Sequence, residues 1–536
     1  MNRRDFLQSS TLFAAGLLSR PLHAQSSPIA STRSGKIRGF SDQGILVFKG
    51  IPYGADTSST RFAPAVSPQP WSGVRDCLAF GPQAPQPIHP RQSRSTFAPL
   101  DEASPTNSED CLHLNVWTPA LDSHKRPVLV YIHGGAYSSS SSNGPVYDGV
   151  RLARRGDAVV VTLNHRLNLF GYLYLAELAP AASRELFRDS GNTGQLDLVL
   201  ALQWVRDNIE NLGGDPSRVL ILGQSGGGAK CATLMSMPSA TGLFHRVMTM
   251  SGQQLTATTP EHATATAEAV LKALDLTPAT VEAIRDPKKV PMERLVAALR
   301  AGKYYGPVHD GRMLPNDPFS PTAPAISDRI PMILGNTHDE TRLLIGASNP
   351  ALFSLTWQQL PAELEHYRQF LGDLTTADII DGYRLWYPGY DASDVFFAAT
   401  TSFRSWHGMV IESERRADRN GPTWAYNFTW KSPADGGKWG APHTIDIPFA
   451  FDNLDLAASM TGTSPEAQQL ASHYADTLIH FARTGDPNHS GLPHWPRYEI
   501  KRRPTMLWDS PPRVEDDPRG EERKLIAQAP YLQPGT

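Results

Sequence analysis

At 536 residues, 40% hydrophobic and 19% charged, the chain has an ordinary globular composition and can bury a large core without covalent staples. A formal net charge of −3 and the lack of any Lys/Arg-rich block exclude a protein built to hold a nucleic-acid backbone. Three cysteines, Cys77, Cys111 and Cys231, are too few and too scattered for a zinc site or a disulfide scaffold, leaving at most one bridge.

Residues 1–24 read as a targeting segment. Arg3 and Arg4 precede a short apolar stretch over 11–18, and Leu22-His23-Ala24 offers a small-residue cleavage site. The apolar run is far below the ~20 residues needed to span a bilayer, so it is a signal and not an anchor. The paired arginines favour twin-arginine export, to the periplasm or the medium. No later stretch is apolar enough to span, so the expectation is a protein with no stable membrane anchor, of undetermined oligomeric state.

Residues 25–536 read as a single domain. Short β-branched runs at 128–132, 158–163, 218–222, 246–250 and 332–334 have the character of buried parallel strands. Between them, Leu198, Ala201, Leu202, Val205, Ile209 and Leu212 recur at helical spacing, stopped by Gly213-Gly214. Strand, helix, strand in succession predicts an α/β fold with a mostly parallel twisted sheet flanked by helices. Segments at about 255–325 and 350–420 carry helical periods and many aromatics, among them Tyr304, Tyr305, Trp357, Trp386, Phe396, Phe397 and Trp406. They are expected to be helical insertions over one end of the sheet, their aromatics mostly core.

The chemistry begins at Gly223-Gln224-Ser225-Gly226-Gly227, which follows the apolar run 219–222 and precedes a helix-compatible segment, 229–237. Strand, sharp turn and helix are what a nucleophile elbow requires, because the turn lifts the serine hydroxyl clear of the sheet. Three successive glycines, 226–228, would each cost about 1 kcal/mol relative to Ala inside a helix. Tolerating that cost implies that backbones approach closely there. A second strand, 128–132, runs into His133-Gly134-Gly135-Ala136. A tetrahedral intermediate needs backbone N–H groups aimed at its oxygen, and Gly135, Ala136 and Gly226 are the natural donors. His113, His133, His309 and His443 show no ligand spacing, so neither a metal nor another cofactor is expected.

Further ordered segments make the chain resemble the type-B carboxylesterases of the bacterial para-nitrobenzyl esterase kind. These are Phe48-Lys49-Gly50-Ile51-Pro52-Tyr53, Arg61-Phe62, Ser108-Glu109-Asp110-Cys111-Leu112-His113-Leu114-Asn115-Val116-Trp117, Asn164-His165-Arg166-Leu167, Gly213-Gly214-Asp215-Pro216 and Phe481-Ala482-Arg483-Thr484-Gly485-Asp486-Pro487. The resemblance covers nearly all of the chain after the signal and implies the α/β-hydrolase fold. It also implies a triad in the order serine, glutamate, histidine: Ser225, then Glu340 in Leu334-Gly335-Asn336-Thr337-His338-Asp339-Glu340, then His443 in Gly440-Ala441-Pro442-His443. Asp339 competes with Glu340, and only the resemblance ranks them. In such a triad the histidine takes the serine proton and returns it to the leaving alcohol, while the acid fixes the imidazole tautomer.

The chain departs from the family pattern at several points. Gln224 and Gly226 stand where Glu and Ala are usual, and Thr341 replaces a glycine after the acid. Lys230 reads as a helix-surface residue or a buried ion-pair partner. The family's early disulfide has lost its usual partner, since Ala84 ends the Gly81-Pro82-Gln83-Ala84 stretch; Cys77 is the alternative partner for Cys111. Cys231 reads as a small buried hydrophobe. The expected activity is hydrolysis of small-molecule carboxylic esters through an acyl-enzyme. The same groups would serve a lactone, carbamate, amide or lipid ester, so the triad leaves the bond open. A non-catalytic interaction module is the alternative outside enzymology, opposed by the intact Ser225, Glu340 and His443.

Overall fold

The computed structural model describes residues 27–88, 100 and 105–533, so the signal read over residues 1–24 lies outside the described residues. Three short strands, β1 (Ile29–Ser31), β2 (Lys36–Arg38) and β5 (Val74–Asp76), form a small sheet near the N-terminus. The central sheet contains β3 (Phe40–Asp42), β4 (Ile45–Pro52), β6 (His113–Thr118), β7 (Arg126–Ile132), β8 (Val159–Leu163), β9 (Gly214–Gln224), β10 (Arg246–Met250), β11 (Met332–Thr337), β12 (Thr423–Phe428), β13 (Pro504–Trp508) and β14 (Arg513–Asp516). Its order is β14-β13-β12-β11-β10-β9-β7-β8-β6-β4-β3. From β8 across to β13 every pairing is parallel, and antiparallel strands close both edges.

The parallel strands are buried on both faces, and alternate residues feed two separate cores. Val128, Val130 and Ile132 of β7 join Val159, Val161, Val219 and Ile221 in one core. Leu129 and Tyr131 join Val160, Leu220 and Leu222 in the other. The first core is covered by the helix Thr193–Asn208, which contributes Leu198, Ala201, Leu202 and Val205. A short 3-10 turn, Ile209–Leu212, extends it, and Gly213 ends it at φ 79°, where a side chain would be strained. The second core is covered by the helix Pro465–Thr484, capped by the Ser464 hydroxyl and stopped by Gly485 at φ 81°. Each fully buried Leu or Phe in these interfaces contributes roughly 1.5–3 kcal/mol.

The first aromatic-rich region holds the helices Pro260–Ala273 and Met292–Ala298. Their apolar faces pack with Tyr137, Phe170 and Ala229, beside the elbow. The second region is of mixed character. Leu360–Glu365, Thr376–Trp386 and Ala392–Thr401 pack on one another, but His407–Asp418 lies against β11 and β12. That last helix is therefore a crossover covering the sheet and not an insertion over its end. Phe396, Phe397, Trp406 and Tyr305 are core, whereas Trp357 is exposed.

Several signature segments turn out to be joints. The Arg61 guanidinium grips the Glu109 carboxylate and the Val290 carbonyl, at 2.6 Å for the latter. Arg166 forks onto Asp197 at 2.8 and 2.6 Å with both side chains buried. Such pairs hold segments in register, and losing one partner would strand a charge in the core. The three thiols are buried and unpaired, so Cys77 and Cys111 form no disulfide in this structure. Among the described residues, no helix is long and apolar enough to cross a membrane.

Candidate active site

The parallel register brings one end of the sheet into a line. Ile132 of β7 pairs with Gly223 of β9, Gln224 with Met250 of β10, and Met250 with Gly335 of β11. The turns that leave these strands therefore emerge side by side, at the carboxyl ends where open α/β sheets gather their ligands. Three of those turns carry the residues singled out in the sequence.

Ser225 follows β9 and directly precedes the helix Gly226–Leu234. The helix begins three residues earlier than the sequence indicates, because the glycines themselves form its first turn. Ser225 sits at φ 58°, ψ −130°, a conformation that costs a non-glycine residue of order 1–3 kcal/mol. Its N–H donates to the Met250 carbonyl at 2.7 Å, which ties the strained turn to the next strand. Side chains cannot replace the glycines without displacing backbone. A methyl group on Gly226 would collide with Ala136, one on Gly227 with the Ile132 carbonyl, and one on Gly228 would press on Gly252. Ser225 is half-buried while its neighbours Gln224 and Gly226 are buried, so it alone in the turn reaches outward.

The turn Gly134-Gly135-Ala136 abuts this elbow. Gly135 and Ala136 both take positive φ, at 79° and 51°. Among the described residues, the N–H groups of Gly135, Ala136 and Gly226 have no hydrogen-bond acceptor. Unsatisfied backbone donors beside a serine are the kind of group that can receive a developing oxyanion.

Beside the elbow, where the Gln224 amide reaches its ring, the His443 Nδ1 contacts the Glu340 carboxylate directly. Glu340 is fully buried at the start of the helix Glu340–Leu344, and its second oxygen accepts from the Thr337 N–H at 2.9 Å. Burial pushes the Glu340 carboxyl upward, but the charge and hydrogen bond of His443, the Ser251 hydroxyl and the Thr337 N–H outweigh it and hold the group below its ordinary value. Gln224 places its amide nitrogen 3.3 Å from Nε2 and 3.4 Å from Nδ1, so it lies over the imidazole and not at one nitrogen.

Asp339 faces elsewhere. It accepts from the Ala441 N–H at 2.8 Å, pairs with His338 at 3.2 Å and lies 3.6 Å from Arg342. Against the opposing effect of burial, His338 and Arg342 hold its carboxyl well below the usual range. Asp339 thus anchors the loop that carries His443, and Glu340 contacts the ring itself. Thr341 is buried, its hydroxyl donating to the Phe397 carbonyl at 2.9 Å. The departure from glycine fastens the acid-bearing helix to the helix Ala392–Thr401.

Three participants were not singled out in the sequence as part of this site. Ser251, at φ 51° just beyond β10, accepts from the Thr337 N–H at 3.2 Å and supports Glu340. Asp446 is buried against Tyr426 at 3.3 Å; burial, and then the Glu340 charge, push it up to about 8, so it stays protonated near neutrality. Lys230 is fully buried and has no carboxylate partner among the described residues, which makes it neither the surface residue nor the ion-pair member its position suggested. No group of three or more His, Cys, Asp or Glu side chains among the described residues could hold a metal ion.

This fold is that of the α/β hydrolases. The model of the Carboxylesterase family matches residues 26–526. Over 509 residues the chain is 32% identical to the para-nitrobenzyl esterase of Bacillus subtilis (strain 168), covering 93% of this chain and 98% of that protein. It is 33% identical over 493 residues to the phenmedipham hydrolase of Pseudarthrobacter oxydans, covering 88% and 93% of the two chains. The crystal structure of the Geobacillus stearothermophilus carboxylesterase EST55 superposes with a TM-score of 0.80 at 35% identity, covering 93% of this chain and 99% of that one. The chain belongs to the carboxylesterase family, and it is a carboxylic ester hydrolase.

Proposed function

We propose that Ser225 is the nucleophile, His443 the general base and acid, and Glu340 the group that orients and charges the imidazole. The observation that carries this reading is the Glu340–His443 contact at Nδ1, on the rim where the Ser225 elbow emerges. With Nδ1 held by Glu340, Nε2 is the nitrogen free to take the serine proton. Attack by Ser225 Oγ on the ester carbonyl forms a tetrahedral oxyanion, which the Gly135, Ala136 and Gly226 N–H groups receive. His443 then protonates the leaving alcohol, and water, activated by the same imidazole, releases the acid. The depressed Glu340 carboxyl remains ionised through the cycle and stabilises the imidazolium. The substrate class is a small-molecule carboxylic ester, and none of these steps calls on a metal or another cofactor.

The test is hydrolysis of para-nitrophenyl esters across acyl chain lengths, with and without a fluorophosphonate. Turnover abolished by stoichiometric labelling at Ser225 supports the reading and sizes the acyl pocket. Turnover that survives complete labelling overturns it. We further propose that residues 1–24 direct twin-arginine export; replacing Arg3 and Arg4 by Lys should trap the chain in the cytoplasm, and unchanged export would reject that route.

A further inference from the structure

Five residues past the nucleophile, one turn into the elbow helix, lies a cation with no counter-ion among the described residues. The Lys230 side chain is fully buried, and its Nζ donates to the His133 carbonyl at 3.1 Å. Its other neighbour is the face of Tyr137, with the ring centroid 5.6 Å away. The surrounding groups are neutral. The His133 and His165 rings lie 4.8 Å apart, tilted at 36°, and burial, with the Lys230 charge as second cause, holds both well below the ordinary histidine value. Burying an unpaired ammonium is costly, and an apolar side chain of similar length would fill the same space without that cost.

The location supplies a reason for the charge. The carbonyl that Lys230 holds belongs to the first peptide of the oxyanion turn, and the amides of Gly135 and Ala136 follow within the next three residues. We infer that Lys230 is a positioning residue of the oxyanion hole, clamping the His133 peptide and presenting a positive charge behind the donors that receive the tetrahedral oxygen. This inference rests on the assignment of Gly135, Ala136 and Gly226 as those donors. A fixed charge in a dry site acts on the anion of the tetrahedral state far more than on the uncharged ester, so its effect falls on kcat and not on KM.

The groups facing Lys230 determine how pH reports on it. Burial lowers its ammonium to about 7. His133 and His165 are already neutral there, and burial keeps Cys231 and Tyr137 protonated well above that range. Glu412 is the exception: Tyr137 donates to Gln254 Oε1 at 3.0 Å, the Gln254 N–H donates to Glu412 at 3.3 Å, and burial raises this carboxyl to about 8. Glu412→Gln is therefore the control.

The experiment compares kcat and KM for a para-nitrophenyl ester in the parent, Lys230→Met and Lys230→Gln, with intact sites counted by end-point fluorophosphonate labelling. Affinity for a trifluoromethyl ketone, which forms an oxyanion on Ser225, is measured alongside. The expected result for Lys230→Met is a kcat lower by about 10²-fold, KM within about threefold, and ketone affinity weakened in parallel with kcat. The parent's kcat should also decline on the alkaline side of neutrality, a decline retained in Glu412→Gln and absent in both Lys230 variants. A kcat within threefold of the parent in either folded Lys230 variant overturns the inference. So does a decline that disappears in Glu412→Gln. Should neither Lys230 variant fold, Lys230→Leu is measured in their place, and a kcat within threefold of the parent overturns it equally.

Discussion

Around His443, buried charge is met by charge or by several hydrogen bonds. Glu340 faces the imidazole and the Thr337 N–H, while Asp339 faces His338, Arg342 and the Ala441 N–H. Around the elbow glycines the construction is steric. Gly226 and Gly227 let the elbow approach the Ala136 and Ile132 backbones, the Gly135, Ala136 and Gly226 N–H groups have no acceptor among the described residues, and Lys230 faces a carbonyl and a ring. The contrast teaches that the two flanks fail differently. The first is sensitive to protonation and to which oxygen points where. The second is sensitive to volume, because a backbone oxygen cannot be displaced as cheaply as the end of a flexible side chain.

The largest effect comes from removing what both flanks serve. Ser225→Ala should lower kcat by roughly 10⁶ on a para-nitrophenyl ester, since triad members act as a unit. A loss below tenfold on pure enzyme would show that neither flank is organised around this hydroxyl.

Next, the two adjacent acids should separate. Glu340→Gln leaves the imidazole without its anion and should cost about 10⁴ in kcat. Asp339→Asn should cost less than about tenfold in kcat and show itself in stability instead. Because folding depresses the Asp339 pKa, its contribution is complete above the ordinary carboxylate range near ~3.9 and is lost as pH falls below it. The variant's deficit in urea midpoint should thus be full at pH 7 and shrink below about pH 4. Equal losses of kcat in the two variants would erase the distinction between ring contact and loop anchor.

The steric flank is tested by Gly227→Ala, which places a methyl against the Ile132 carbonyl. Overpacking of this kind costs about 1–3 kcal/mol, read as a lower urea midpoint at any pH. A variant as stable as the parent would mean that the elbow has room to spare.

A further buried carboxyl, Glu412, lies beyond Tyr137 and Gln254 on the Lys230 side. Burial raises Glu412 to about 8, so the folded state holds a proton that the unfolded chain has released above its ordinary range near ~4.3. Stability from this group therefore falls as pH rises between those limits and is lowest above the upper one. Glu412→Gln should be more stable than the parent at pH 8.5, with the advantage shrinking as pH falls toward 5. An advantage that does not vary with pH would show that Glu412 is not protonated at neutrality.

Much of this protein is legible from its residues because the signals are short-range. Short β-branched apolar runs mark the parallel strands, which are buried on both faces, and glycines at 213 and 485 mark where helices stop. Gly223 to Gly227 marks a sharp turn after a strand, since only small residues permit that approach. Tertiary structure decided the rest. Asp339 and Glu340 are neighbours with the same chemistry, and their roles divide only because the helix starting at Glu340 points one carboxylate at His443 and leaves the other beside Ala441. Arg61 and Glu109 lie 48 positions apart, and their pairing exists only once the segments are packed. Lys230 could not be assigned from its helix alone, because its partner is a carbonyl 97 residues earlier, brought near by the β7–β9 register. Local sterics are written in adjacent residues; the solvation and pairing of a charge depend on everything the fold brings within a few ångströms of it.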